Sequence, residues 1–242
     1  MIDLHTHTTA SDGRCTPAEL VARAAAAGVT TLGVTDHDTV AACRDVESAC
    51  AEAGLSCLRG IEVTAVLERS DVHVLGYGID IDSEAFLTFL AEQRQRRLER
   101  VSEIVERLRA RCGIALSLDT ILRPGLSDSG KAAGRPWIAR ALVEDGHAQS
   151  TDEAFERWLG RGRPAFVPRV GASPVEVIAR IHEADGLVSL AHPGLTRVDG
   201  SIPEFVDAGL DAIEAYHSRH DAETTARYLQ LAMDLNLLVT GG

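Results

Sequence analysis

Ile2-Asp3-Leu4-His5-Thr6-His7 is an apolar stretch that ends in two histidines one residue apart. On a strand, residues i and i+2 point to the same face, so His5 and His7 can present two imidazoles side by side to a metal ion. Asp12 follows in Ser11-Asp12-Gly13, and a second apolar run, Thr31-Leu32-Gly33-Val34-Thr35, ends in Asp36-His37-Asp38. Taken singly, a strand-end histidine is ordinarily surface or satisfied core, and Ser-Asp-Gly an Asx turn. Recurrence at the ends of successive apolar runs points instead to a metal site. Glu62, His73, His192 and His217 extend the series along the chain. His5, His7, His37, His73 and His192, with Asp12 and Glu62, make a nitrogen and carboxylate set that suits Zn²⁺, Mn²⁺ or Fe²⁺ and is too histidine-rich for a Mg²⁺ or Ca²⁺ cage. The set is too large for one ion, and a carboxylate such as Glu62 can bridge two. Ion pairs about 3.5–4 Å apart favour hydrolysis of phosphate esters.

The elements that must position these residues read as alternating strands and helices. Thr16-Pro17-Ala18-Glu19 is a capping box with proline at the first helical position, opening a helix that stops at Gly28. Further helices are expected from about Val40 to Ala53, after Ser173-Pro174-Val175-Glu176, after Ser201-Ile202-Pro203-Glu204, and from about Ala222 to Leu235. Strands are expected near Leu58 to Val63, at Val72 to Tyr77, Leu187 to Ala191, Ala212 to Ala215 and Leu237 to Thr240. Such alternation predicts an α/β fold with a parallel sheet or barrel, the chemistry gathered at strand C-termini. Between Asp82 and Pro164 the rhythm breaks into helical spacing: a long helix from Ser83 to about Arg111, a Gly/Ser-rich stretch from Leu126 to Gly134, then helices opened by Pro136 and by the capping box Ser150-Thr151-Asp152-Glu153. The expected organisation is a barrel from 1–83 and 169–242, with 84–168 as a helical insertion.

Length and composition agree with one large domain, or a domain carrying an insertion: 242 residues, 45% hydrophobic and 25% charged. No run is apolar enough to span a bilayer and the N-terminus does not read as a signal peptide, so no membrane partner is expected and cytoplasm is the default. The five cysteines form no CxxC and read as reduced. The net charge of −12 argues against long duplex nucleic acid as a partner. Charge is uneven: residues 84–168 carry +2 and the remainder −14. An acidic body suits bound cations, and a locally basic segment suits an anionic substrate.

The motifs His5-Thr6-His7, Ser11-Asp12-Gly13, Thr35-Asp36-His37-Asp38, Gly60-Ile61-Glu62-Val63, Val72-His73-Val74-Leu75-Gly76-Tyr77 and Ala191-His192-Pro193-Gly194 together resemble the PHP (polymerase and histidinol phosphatase) family. Within it, the chain most resembles the stand-alone bacterial group that includes nucleoside 3′,5′-bisphosphate phosphatases and a 5′–3′ exoribonuclease. The resemblance implies a distorted (βα)7 barrel with a helical insertion and a trinuclear centre, often manganese. It makes His5, His7, Asp12, His37, Glu62, His73 and His192 metal ligands for two or three divalent ions, Mn²⁺ first, with Zn²⁺ or Fe²⁺ as alternatives. It also brings Arg135 and the stretch Tyr216-His217-Ser218-Arg219-His220 near the substrate phosphates. Arg135 precedes Pro136 at a helix start, where a phosphate is welcome. His147 and His182 match nothing and read as structural or exposed.

Two departures from the family pattern stand out. Trp137 occupies the position after Arg-Pro where the related group usually has histidine. In the family, the glycine pair matched by Gly241-Gly242 leads into Ser-Asp-x-His, whose aspartate and histidine are ligands. The sequence stops short of that motif, and the expectation is a truncated barrel end with at least one metal position empty, depleted or filled by water, and activity weak or absent.

The activity implied is a metal-dependent phosphoesterase acting on small nucleotides such as pAp, or on short 5′-phosphorylated RNA. Arg135 would neutralise developing charge, His217 and Arg219 would bind substrate, and His192 or His217 would protonate the leaving oxygen. The alternatives are hydrolysis of a histidinol-phosphate-like monoester or of a C–N bond, and a catalytically inactive PHP module.

Overall fold

The computed structural model describes residues 1–68, 70–126 and 134–242, with the backbone alone over 123–126. Two compact units result: Met1–Ala91 with Gly171–Gly242, and Glu92–Val170. In chain order the first unit opens with β1 (Ile2–Thr6), α1 (Pro17–Ala26), β2 (Thr31–Val34), α2 (Cys43–Ala53), β3 (Ser56–Leu67) and β4 (Ser70–Tyr77). Helix α3 (Glu84–Cys112) leads into the second unit, which continues with α4 (Leu118–Leu126), α5 (Arg135–Glu144) and α6 (Thr151–Ala154). The first unit resumes with α7 (Pro174–Glu183), β5 (Leu187–Leu190), α8 (Pro193–Thr196), α9 (Ile202–Asp207), β6 (Ala212–Tyr216), α10 (Ala222–Leu235) and β7 (Leu238–Gly241).

Seven strands form one sheet in the order β1-β2-β3-β4-β5-β6-β7. The helices between strands start where the sequence provides caps. Thr16 Oγ1 accepts from the Glu19 amide while the Glu19 carboxylate accepts from the Thr16 amide, with Pro17 at the first helical position. Ser173 and Asp221 cap α7 and α10 in the same sense.

The expected parallel order fails at one strand. β4 is antiparallel to both β3 and β5, whereas the other neighbours are parallel. The cause is a connection too short for a crossover helix: Leu67 already pairs with Ser70. β3 is also longer than its apolar core: its twelve residues run from Ser56 through Glu62 to Leu67. Glu62 and His73 therefore lie within strands, and His73 reaches the site from the first half of an antiparallel strand rather than from a strand C-terminus.

The pleat sorts side chains into two faces. Ile61, Val63, Ala65, Val72 and Val74 join the helix residues Val21, Val46, Ile178, Ile181 and Phe205 in the main core. The alternating positions, Leu58, Glu62 and Thr64 on β3 with His73, Leu75 and Tyr77 on β4, face the other way, where Leu75, Tyr77 and Ala191 form a small cluster with Leu4 and Leu58.

The second unit has its own core of Val101, Ile104, Leu108, Ile138, Leu142, Ala154, Trp158 and Leu159. No strand occurs among its described residues. Much of the Gly/Ser-rich stretch, residues 127–133, lies outside the described residues. Part of the unit's positive charge has a structural use. Arg100, Arg107 and Arg111 on α3 donate to the backbone carbonyls of Val167, Phe166 and Pro164, fastening the returning chain to the helix. No helix among the described residues is long and apolar enough to cross a membrane. All five cysteines are free thiols.

Candidate metal centre

The centre is built on Glu62. Its side chain is 1% exposed on the face of β3 that also carries Leu58 and Thr64, and five imidazoles close on its two oxygens. His5 Nε2 and His7 Nε2 each stand 3.2 Å from Oε2, and His37 Nδ1 stands 3.1 Å from it. His73 Nδ1 lies 2.7 Å and His192 Nε2 3.0 Å from Oε1. Two strands and the segments just after three strands deliver these rings. β1 carries His5, His7 follows it, and His37 forms a parallel bridge with Glu62 just beyond β2. β4 carries His73, and His192 follows β5.

The convergence is not that of a hydrogen-bonded cluster. A carboxylate offers about four lone-pair directions, fewer than five rings would use. His37 Nδ1 and His73 Nδ1 are buried and close to Glu62 yet make no hydrogen bond of acceptable geometry, and His192 Nδ1 is likewise unpaired. Among the five rings, His192 Nε2 does hydrogen-bond to Glu62 Oε1, at 3.0 Å. Two overlapping groups, His5-Glu62-His192 and His7-His37-Glu62, place three ligand atoms within 4.8 Å of one another. Nitrogen and carboxylate donors of this kind fit divalent transition-metal ions.

Charge is strongly coupled here. Burial alone would raise the Glu62 carboxyl, but His37, His192, His5 and His7 hold it well below the usual carboxylate range. Burial would lower His5, yet Glu214 and Glu62 outweigh it and carry its pKa to about 10. For His37 burial prevails and the pKa falls.

Three carboxylates to which sequence reasoning gave no role of their own hold the ligands in place. Asp36, 2% exposed, accepts from the Thr8 amide at 2.7 Å, the Thr8 hydroxyl at 2.7 Å and the Ser11 hydroxyl at 2.5 Å. It thereby fixes the loop between His7 and Asp12. Asp38 accepts from the amide of Thr64 at 2.8 Å and from its hydroxyl at 3.2 Å, tying the His37 segment to β3 beyond Glu62. Glu214 lies fully buried behind His5 and His192. The available signal was a charged residue inside an apolar run, since buried carboxylates are rare unless partnered.

Backbone geometry is equally specific. Gly13 packs on the His7 carbonyl, where a Cβ would come within 2.3 Å of the oxygen. Gly242 lies against His5, with a Cβ position 2.5 Å from the His5 Cβ.

The remaining candidates fall in distinct places. Asp12 sits at the rim, its side chain 67% exposed, 3.5 Å from His7 Nδ1 and 3.8 Å from His37 Nε2, outside both three-residue groups. The His217 ring is 5.3 Å from that of His192 and 6.1 Å from that of His5, and its Nδ1 accepts from the Arg219 amide at 3.3 Å. Burial lowers its pKa. Arg219 is exposed. Arg135 belongs to the second unit, in the first turn of α5, with its guanidinium 5.6 Å from the Phe155 ring centre. Trp137 packs against that unit's core. His147 is exposed, and His182 is bound to Asp211 at 3.0 Å, a structural pair beside β5.

A PHP domain spans residues 3–128, more than half of the chain. The chain belongs to the PHP family. The 5′-3′ exoribonuclease Rnm of Escherichia coli is 34% identical to this PHP chain over 99% of it and 83% of the relative. The 3′,5′-nucleoside bisphosphate phosphatase of Chromobacterium violaceum is 33% identical over 94% of the chain and 80% of that protein. A solved structure from Bifidobacterium adolescentis, assigned as a metal-dependent phosphoesterase, superposes with a TM-score of 0.86 at 34% identity, covering 99% of this chain and 85% of its own.

Proposed function

We propose that this chain is a divalent-metal-dependent phosphoesterase that removes phosphate from small nucleotides, nucleoside 3′,5′-bisphosphates or short 5′-phosphorylated RNA. The observation that carries this reading is the set of five imidazole nitrogens around one buried carboxylate, at contact distance and largely without hydrogen-bond geometry. His5, His192 and Glu62 would hold one ion, and His7, His37 and Glu62 a second. His73 and Asp12 lie within reach of the same space. Manganese is the ion we assign first. The bound ions would activate water for in-line attack and offset charge on the phosphoryl oxygens.

The chain's own residues supply the rest. Glu62 belongs to both groups and fixes their separation. His217 stands beside His192 and His5 with Nδ1 accepting a backbone hydrogen bond, so the neutral ring carries its proton on Nε2. That proton is the one we assign to the leaving oxygen. Arg135 and Arg219 are assigned to the substrate phosphates. The support for Arg135 is a guanidinium at a helix N-terminus with no side-chain cap, a setting that suits phosphate.

The deciding experiment assays Mn²⁺-loaded protein against pAp, short 5′-phosphorylated RNA and histidinol phosphate. The expected outcome is release of phosphate or nucleotide from the first two at rates well above that for histidinol phosphate. Preference for histidinol phosphate would replace the substrate assignment, and no turnover of any phosphoester by metal-loaded protein would defeat the reading.

A further inference from the structure

Glu214 sits at the third position of β6, between Ile213 and Ala215, with its side chain completely buried. No solvent reaches it, and it belongs to neither three-residue ligand group. Its two oxygens nevertheless divide between two members of one group. Oε1 is 2.9 Å from His5 Nδ1, and Oε2 accepts from the His192 backbone amide at 2.7 Å. The other nitrogen of His5, Nε2, is the one turned to Glu62.

Both contacts bear on how a ligand is presented. A carboxylate beside Nδ1 is served by a proton on that nitrogen, which makes Nε2, on the side of Glu62, the nitrogen whose proton a metal would replace. The His192 backbone is in the left-handed region, φ 27° and ψ 57°, unusual for a histidine and disfavoured by a following proline. A conformation of this kind persists only where its surroundings hold it. The charge-assisted bond from the His192 amide to Glu214 is such a hold, and it also spans from β6 to the turn after β5.

We propose that Glu214 is a positioning residue for the metal centre: one carboxylate that sets the His5 tautomer and locks the strained turn presenting His192. This rests on the reading of His5-Glu62-His192 as a metal group. Glutamine at 214 would keep the shape but offer one acceptor oxygen where two donors converge, turning its NH₂ toward the other donor.

The test compares wild-type protein with Glu214→Gln, and with Glu47→Gln as a control in a half-buried ion pair with Arg59 that touches no ligand of the centre. Mn²⁺ binding is titrated by the signal of free aqueous Mn²⁺, alongside the melting temperature of the metal-free proteins. The expected result is a weakening of at least one Mn²⁺ site by about 10- to 100-fold in Glu214→Gln and no change in Glu47→Gln. Wild-type-like Mn²⁺ binding in folded Glu214→Gln, with wild type binding normally, would overturn the role of Glu214 alone. Failure of wild type to bind Mn²⁺ would overturn the metal group as well. If Glu214→Gln does not fold, ¹⁵N-histidine spectra of Zn²⁺-loaded wild type decide the matter. A proton on His5 Nδ1 with Nε2 bound to metal supports the proposal, and the reverse tautomer overturns it.

Discussion

His5 and His192 approach Glu62 with 6% and 12% of their side chains exposed, and a single buried carboxylate, Glu214, meets both from behind. His7 and His37 approach the same glutamate with 21% and 19% exposed, and beside them Asp12 stands almost free at the rim. The outer side has its own buried carboxylate, Asp36, but that residue grips the loop of Thr8 and Ser11 rather than an imidazole. One half of the centre is thus held by one carboxylate, at the His5 ring and at the His192 backbone amide, and the other is held through the loop beside it. The difference teaches that the inner ligands are aimed before an ion arrives, whereas the outer set depends on a loop being kept in register.

The two halves share only Glu62, so Glu62→Gln should have the largest effect. Metal content should collapse in both halves, and turnover should fall by about 10³-fold or more. Elemental analysis of protein expressed with added metal checks this; a Gln variant that keeps both metal content and rate would mean that the halves are independent of Glu62.

Asp36→Asn separates the halves. Asparagine has one acceptor oxygen for three donors, so the loop between His7 and Asp12 should loosen while the inner group stays intact. One metal site should weaken by about 10- to 100-fold, and the other should match wild type. Equal weakening of both, read from two-site metal titration, would show that the centre behaves as one body.

Arg135→Ala should have the smallest effect and touch neither half. Metal binding should be unchanged, with kcat/KM for a nucleoside bisphosphate lowered about tenfold through loss of a charge-assisted phosphate contact. Unaltered kinetics would remove Arg135 from substrate binding.

The ligands themselves were legible in the sequence because histidine and carboxylate types recurred beside apolar runs. Their supports were less so. Glu214 lay hidden in Ala212-Ile213-Glu214-Ala215-Tyr216, where strand periodicity does not tell an inward carboxylate from a solvated one. Asp36 and Asp38 flank His37 on alternate positions, and motif resemblance marked them without showing that they bond to Thr8, Ser11 and Thr64. The direction of β4 was readable in principle. Only two residues separate Leu67 from Ser70, and no crossover fits in that length. The basic character of residues 84–168 was visible, but composition could not show that three arginines on α3 donate to backbone carbonyls.

The hairpin of β3 and β4 has a further consequence in time rather than space. Its ladder runs unbroken from Gly60 opposite Tyr77 to Leu67 opposite Ser70, and β4 is also paired on its far side with β5. Glu62 and His73 lie in the middle of that ladder, where amides open only when the sheet does. Loops and termini fluctuate within nanoseconds to microseconds, whereas core strands stay closed far longer. An incoming ion therefore meets a glutamate and a histidine whose spacing is already fixed. The residues on the loops, Asp12 foremost, have only to close over a pair that has been waiting.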